Sequence, residues 1–264
     1  MALKRPRRLR VKRIPRFSLN RLIPNILTLL ALCAGMTAIR LALLDRFEPA
    51  AGAIIVAAVL DGIDGRIARL LKGTSTFGAE LDSLSDFVSF GVAPATLLYI
   101  WTMDGLHGIG WALSLLFTVC CALRLARFNT QLGSDLPSYA TNFFTGVPAP
   151  AAAGLVMLPM IFCFETDAEF FRSPILNGVV LALVAALMVS RVPTFSFKSF
   201  RISREWVLPM LLLLAAMAAF LTTEPWITLL IVGALYIGSI PFSIHSYGRL
   251  RRASAPPIFP NLFS

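Results

Sequence analysis

AAGAIIVAAVLDGIDGRIARLLKGTSTFGAELDSLSDFVSFGVAPATLLYIW, residues 50–101, consists of two apolar runs set back to back around a short polar connection, KGTST at 72–76. Each run has about the 20 residues that an α-helix needs to cross a hydrocarbon core of roughly 30 Å. Acids lower the hydropathy of both runs, and that local deficit is informative. Outward from this hairpin the pattern repeats: spans are predicted at about 22–44, 49–71, 79–102, 108–128, 147–164, 174–192, 206–222 and 225–246. The expected fold is all-α, a polytopic membrane bundle of about eight transmembrane helices. Composition agrees, since 57% of the 264 residues are hydrophobic, 14% are charged and the mean hydropathy is +0.75. A soluble domain carries about 25% charged residues.

Orientation follows from the arginines and lysines of the loops. With an even number of spans and both termini cytoplasmic, the outer loops hold only Arg46 and Arg172. The inner side then receives Lys72, Arg127, Lys198, Arg201, Arg204, Arg249, Arg251 and Arg252. Three regions are expected: a basic cytoplasmic tail at 1–21, a membrane domain at 22–246 whose chemistry-bearing helices lie at about 49–102, and a cytoplasmic tail at 247–264. The net charge is +10, but residues 1–21 hold nine basic residues and no acid, so the other 243 carry +1. That distribution describes a topology determinant resting on anionic lipid and argues against a nucleic-acid partner. The tail is not a signal n-region, because the next span is too long for an h-region and no small-x-small cleavage site follows it. Cys33, Cys120, Cys121 and Cys163 lie in apolar stretches without metal spacing, and His107 and His245 stand alone. They are read as packing and isolated residues, not zinc ligands.

Asp61, Asp64, Glu80, Asp82 and Asp86 all fall within 26 residues, in or beside the second and third spans. Ionisable groups inside a membrane are costly and mark functional sites. At 3.6 residues per turn, Asp61 and Asp64 share a face of one helix, with Gly65 and Arg69 below Asp61. Gly78, Asp82 and Asp86 form a stripe on the next helix. A short antiparallel hairpin brings the two faces together, and four repelling carboxylates are tolerable there if divalent cations neutralise them. All-oxygen ligation selects a hard ion, Mg²⁺ or Mn²⁺. Gly65, Ala68 and Gly78 are small residues that allow either close helix packing or room for a phosphate or a flat base. Arg66, Arg69 and Lys72 sit at the cytoplasmic end, placed to snorkel or to bind phosphate.

The spacing Asp61-x2-Asp64-Gly65-x2-Ala68-Arg69-x8-Gly78-x3-Asp82-x3-Asp86 resembles the signature of the CDP-alcohol phosphatidyltransferase family at all eight of its positions. The resemblance implies an integral-membrane enzyme that displaces CMP from a CDP-linked lipid with an alcohol. It implies two divalent cations, one held by Asp61, Asp64 and Asp82 and the other by Asp61, Asp82 and Asp86, with Asp86 also the base for the attacking hydroxyl. Gly65, Arg69 and Ser75 match positions that contact the CDP-lipid, and the small Ala68 and Gly78 of the signature are placed in the same CDP-lipid site. PNILT at 24–28 resembles the family segment that approaches the nucleotide, which adds Asn25 and Thr28. A homodimer in the bacterial cytoplasmic (inner) membrane, its active site facing the cytoplasm, is implied as well.

Within that family SDFVSFGVAPA (85–95), ALRLARFN (122–129), FFTGVPAPAAAG (143–154) and MVSRVPTFSFKSF (188–200) resemble the branch that uses L-serine with CDP-diacylglycerol. A serine site needs a cation for the carboxylate. Arg124 and Arg127, followed by Asn129, are candidates, although positive-inside topology alone would also put arginines there. A family member with another acceptor, glycerol 3-phosphate, inositol phosphate or phosphatidylglycerol, is the nearest alternative. An intramembrane prenyltransferase would separate its acidic motifs onto distant helices, and a transporter would move a substrate without releasing CMP.

Overall fold

The computed structural model describes residues 19–71, 75–131, 143–190, 192–195 and 204–253. The basic tail before Leu19, Lys72 in the hairpin connection, Lys198 and Arg201 lie outside the described residues. Helices α1 (Leu19–Ala42), α2 (Phe47–Leu70), α3 (Thr76–Asp86), α4 (Ala93–Trp101), α5 (Gly108–Gln131), α6 (Ala149–Thr166), α7 (Pro174–Val189), α8 (Arg204–Thr223) and α9 (Pro225–Ala253) follow in order. A π-helical turn, Phe87–Val92, joins α3 to α4, so the two form one rod from Thr76 to Trp101. Each of the eight expected segments thus coincides with a helical rod.

Among the described residues five helical stretches are long and apolar enough to cross a membrane: Leu22–Ala42, Thr76–Trp101, Gly108–Thr130, Ala149–Thr166 and Pro225–Ser246. Pro174–Val189 and Leu208–Thr223 are apolar but shorter. Helix α2 equals α1 in length but carries Asp61, Asp64, Arg66 and Arg69 in its second half. The outward surface is apolar: Leu208, Leu211, Leu212, Leu213 and Phe220 on α8, with Leu235 and Phe242 on α9, are all exposed. An apolar coat this extensive fits lipid as the solvent.

Small residues allow the helices to approach closely. Ala31, Ala38 and Ala42 of α1 and Ala50, Ala51 and Ala57 of α2 are buried in the same core, and α1 makes its broadest contact with α2. At Gly35 an added Cβ would lie 2.5 Å from Ser89 Oγ and 2.8 Å from Ser89 Cα. Only glycine lets α1 cross the π-helical turn there. The Ser85 and Ser89 hydroxyls donate to the carbonyls of Thr28 (3.0 Å) and Ala31 (3.2 Å), so α1 is also hydrogen bonded to this rod.

The all-α architecture carries one small addition, a two-stranded ribbon: β1 (Phe143–Thr145) pairs antiparallel with β2 (Pro193–Phe195) in register Phe143↔Phe195, Phe144↔Thr194 and Thr145↔Pro193. Three pairs are too few to imprint a period-2 pattern on the sequence. The ladder leads into Gly146, whose φ of +80° and close approach to the Met188 carbonyl exclude a side chain. The apolar stretch of α9 that is long enough to cross a membrane ends at Ser246, the expected limit of the last span, and the helix itself runs on to Ala253. Gly248 lowers helix propensity without ending the helix.

Candidate active site

The acidic faces of α2 and α3 meet. One carboxylate oxygen from each of Asp61, Asp64 and Asp82 lies within 4.8 Å of the others. One turn further along α3, the Asp86 carboxyl lies close to that of Asp61. Asp64 is only 3% exposed and accepts a hydrogen bond of 2.7 Å from the Thr28 hydroxyl. Converging carboxylates without histidine or cysteine suit a hard divalent cation, and one turn of separation leaves Asp86 beside the same cluster. The donor set therefore fits divalent metal binding.

Beside the carboxylates lies a cavity of about 330 Å³ lined by Pro24, Asn25, Thr28, Asp64, Gly65, Ala68, Arg69, Ser75, Gly78, Ala79, Asp82 and Phe128. All seven residues expected to contact the CDP-lipid, Asn25, Thr28, Gly65, Ala68, Arg69, Ser75 and Gly78, are in its wall. Local structure explains how they are presented. Ser75 is the N-cap of α3 and its oxygen accepts from the Gly78 N–H at 3.0 Å, which leaves the hydroxyl proton available. The Arg69 Nε donates to the Gly65 carbonyl at 3.0 Å, which holds the guanidinium along its own helix. A Cβ on Gly78 would meet Asn25 Oδ1 at 3.0 Å and Ser75 Oγ at 3.1 Å, whereas one on Gly65 would meet nothing within 4 Å. Gly78 thus permits packing, and Gly65 leaves open space. The cavity combines an oxygen-rich wall, one arginine and a helix N-terminus, a set suited to a metal-bound phosphate.

The three residues considered for an acceptor alcohol separate. Arg127 Nη1 donates to the Val189 carbonyl at the end of α7 (2.9 Å). Asn129 closes on Ser83, its Nδ2 2.9 Å from Ser83 Oγ, so α5 is tied to α3 one residue after Asp82. Arg124 stays within electrostatic reach of Asp86, and its Nε is buried without a hydrogen-bond partner among the described residues.

Residues 21–190 match the family model described as CDP-alcohol phosphatidyltransferase. The chain belongs to the CDP-alcohol phosphatidyltransferase family. A second model, CDP-alcohol phosphatidyltransferase 2, matches residues 205–241. Among curated relatives, the CDP-diacylglycerol–serine O-phosphatidyltransferase of Mycobacterium leprae is 37% identical over 226 residues, 85% of this chain and 75% of the relative. The protein of the same name from Helicobacter pylori is 35% identical over 217 residues, 82% and 88%. That from Bacillus subtilis is 34% identical over 176 residues, 67% and 91%.

In this CDP-alcohol phosphatidyltransferase the sequence reading missed three contributors to the site. Phe128 closes the cavity from α5, Ser83 anchors Asn129, and Ser85 ties the base of the acidic stripe to α1. None lies at a spacing that distinguishes it from ordinary packing residues. Of the four cysteines, Cys120 and Cys121 are buried, in keeping with packing, whereas Cys163 is half-buried and Cys33 is exposed.

Proposed function

We propose that the protein transfers the phosphatidyl group of CDP-diacylglycerol to L-serine, giving phosphatidylserine and CMP. The observation that carries this reading is the single cavity that joins all seven expected CDP-lipid residues to Asp64 and Asp82. The names of the relatives from Mycobacterium leprae and Helicobacter pylori support serine as the acceptor. Asp61, Asp64 and Asp82 would hold one divalent cation, Mg²⁺ or Mn²⁺, and Asp61, Asp82 and Asp86 a second; when bound, the ions neutralise the diphosphate and the leaving CMP.

The chain's own groups do the rest. Arg69 and the Ser75 hydroxyl bind phosphate oxygens, while Gly65, Ala68 and Gly78 keep the wall low for the nucleotide and Asn25 and Thr28 border it. Arg124 holds the serine carboxylate. Asp86 takes the proton of the serine hydroxyl as that oxygen forms its bond to the lipid-linked phosphorus, and the bond from phosphorus to the CMP oxygen breaks. Fixed positions for both reactants lower the entropic part of the barrier.

The same reading takes all eight helical rods as membrane spans, with both termini and the active site on the cytoplasmic side of the inner membrane. The tails flank a membrane domain at 22–246, and two copies form a homodimer. Positive-inside loops and family membership support it. The deciding assay incubates purified protein with CDP-diacylglycerol, Mg²⁺ or Mn²⁺ and a panel of labelled alcohols, and scores CMP and lipid product. Serine-dependent CMP release is expected. Release with glycerol 3-phosphate or inositol phosphate and none with serine would overturn the acceptor.

A further inference from the structure

Four side-chain polar atoms among the described residues are shielded from solvent and lack a hydrogen-bond partner: Arg124 Nε, Asn177 Oδ1, Tyr236 Oη and Ser243 Oγ. The Asn177 amide is already held by two donated bonds, to Phe171 and Ser173. Arg124 and Tyr236 are different, because they lie within electrostatic reach of one another, and Arg124 also lies within reach of Asp86. The Tyr236 hydroxyl comes up to Thr194 of β2 without closing a bond of acceptable geometry. Thr194 has its own hydroxyl proton on the Gly146 carbonyl at 2.9 Å. A buried donor left unmade is costly, so two within reach of one another call for an acceptor that both can share.

The neighbouring polar groups are otherwise engaged. Arg127 caps α7 and Asn129 is closed on Ser83. Tyr236 also lines an apolar cavity of about 220 Å³ between α2, α6 and α9. The aromatic body of Tyr236 suits that apolar wall, and its hydroxyl calls for a polar partner. A cationic and a neutral donor within reach of one another, the cation also within reach of the base, match a carboxylate, which accepts several hydrogen bonds at once. In a 2-amino-3-hydroxy acid the carboxylate carbon and the hydroxyl oxygen are three bonds apart, so a carboxylate held here keeps the hydroxyl within reach of Asp86.

We infer that Tyr236 is a specificity-determining residue of the acceptor site, its hydroxyl sharing with Arg124 the carboxylate of the incoming amino acid. This rests on serine being the acceptor, and it assigns a role to α9, on which the sequence offers no motif.

The test is steady-state kinetics of Tyr236→Phe, Arg124→Gln and the double variant in detergent, with serine and CDP-diacylglycerol varied separately. Tyr236→Phe raises the serine KM about tenfold or more and leaves the KM for CDP-diacylglycerol within about twofold. KM does not depend on the fraction of active protein, so a lower yield of folded enzyme does not blur the result. The double variant loses less than the product of the single effects, because both groups act on one carboxylate. An unchanged serine KM, a parallel rise in both KM values, or strictly multiplicative effects would overturn the inference. Wild-type enzyme that ignores serine removes the acceptor reading and this inference with it. A serine-active wild type beside an unaltered Tyr236→Phe removes the inference alone.

Discussion

Gly65→Ala is expected to make the protein more stable and less active. Gly65 lies within α2, and a Cβ built there meets no atom within 4 Å, so the folded state accepts the methyl group without strain. Alanine is favoured over glycine inside a helix by about 1 kcal/mol, which for a protein of this size raises the Tm by roughly 2–4 °C. The open space is the 330 Å³ cavity itself, however. A methyl group forced against a bound ligand costs about 1–3 kcal/mol, and each 1.4 kcal/mol is about tenfold in affinity. The KM for CDP-diacylglycerol should therefore rise roughly fivefold to a hundredfold while the serine KM holds. Gly62→Ala is the internal control, since Gly62 also meets nothing within 4 Å but is absent from the cavity wall. It should gain the same stability and keep normal kinetics. Thermal unfolding in detergent and CMP-release kinetics on the three proteins decide the matter. A normal CDP-diacylglycerol KM in Gly65→Ala would refute the placement of the CDP-lipid against α2.

Asp86→Asn keeps the side-chain shape and removes the base, so kcat should fall by about 10²–10⁴-fold while CDP-diacylglycerol still binds in an equilibrium assay; near-normal turnover would take Asp86 out of that role. Thr28→Val removes the 2.7 Å bond to Asp64, and the Mg²⁺ or Mn²⁺ concentration for half-maximal activity after chelation should rise roughly 10–100-fold, with Thr28→Ser close to wild type. An unchanged metal titration would mean that Asp64 needs no help in its orientation. Arg127→Gln should lower thermal stability through the lost bond to Val189 and leave the serine KM within about twofold, whereas Arg124→Gln should raise that KM; the reverse pattern would exchange their assignments.

The sequence disclosed the rods and the acids for physical reasons that do not carry over to everything else. Twenty apolar residues in a row have few alternatives to a helix in lipid, so α1, α5 and α6 begin and end near their expected limits. Asp61, Asp64, Asp82 and Asp86 were legible because carboxylates at helical spacing inside apolar runs are too costly to be incidental. The π-helical turn after Asp86 was not legible: FVSFGV reads as helix, and the contact of this turn with α1 through Ser89 and Ala31 leaves no mark on the spacing of its residues. The division of labour between Arg124 and Arg127 was equally hidden. Both sit near one end of α5, and only the position of the Val189 carbonyl separates the capped arginine from the unpaired one.

Helix α1 shows why the acidic hairpin does not suffice as a site. It carries no acid, yet its Thr28 touches both halves: the hydroxyl donates to Asp64 on α2, and the carbonyl accepts from Ser85, the residue before Asp86 on α3. One turn along, Ser89 repeats the attachment at Ala31, at the crossing that Gly35 keeps free of side chains. The two acid-bearing helices repel each other through their carboxylates, and in lipid no aqueous hydrophobic force drives them together. Close packing and hydrogen bonds to a shared third helix are what remain to hold them at a fixed spacing. The π-helical turn begins immediately after Asp86, where it sets the register between the acidic stripe of α3 and the buried face of α4. The PNILT segment is then a structural partner of the acids as well as a border of the cavity, because one threonine both lines the cavity and orients the most buried carboxylate.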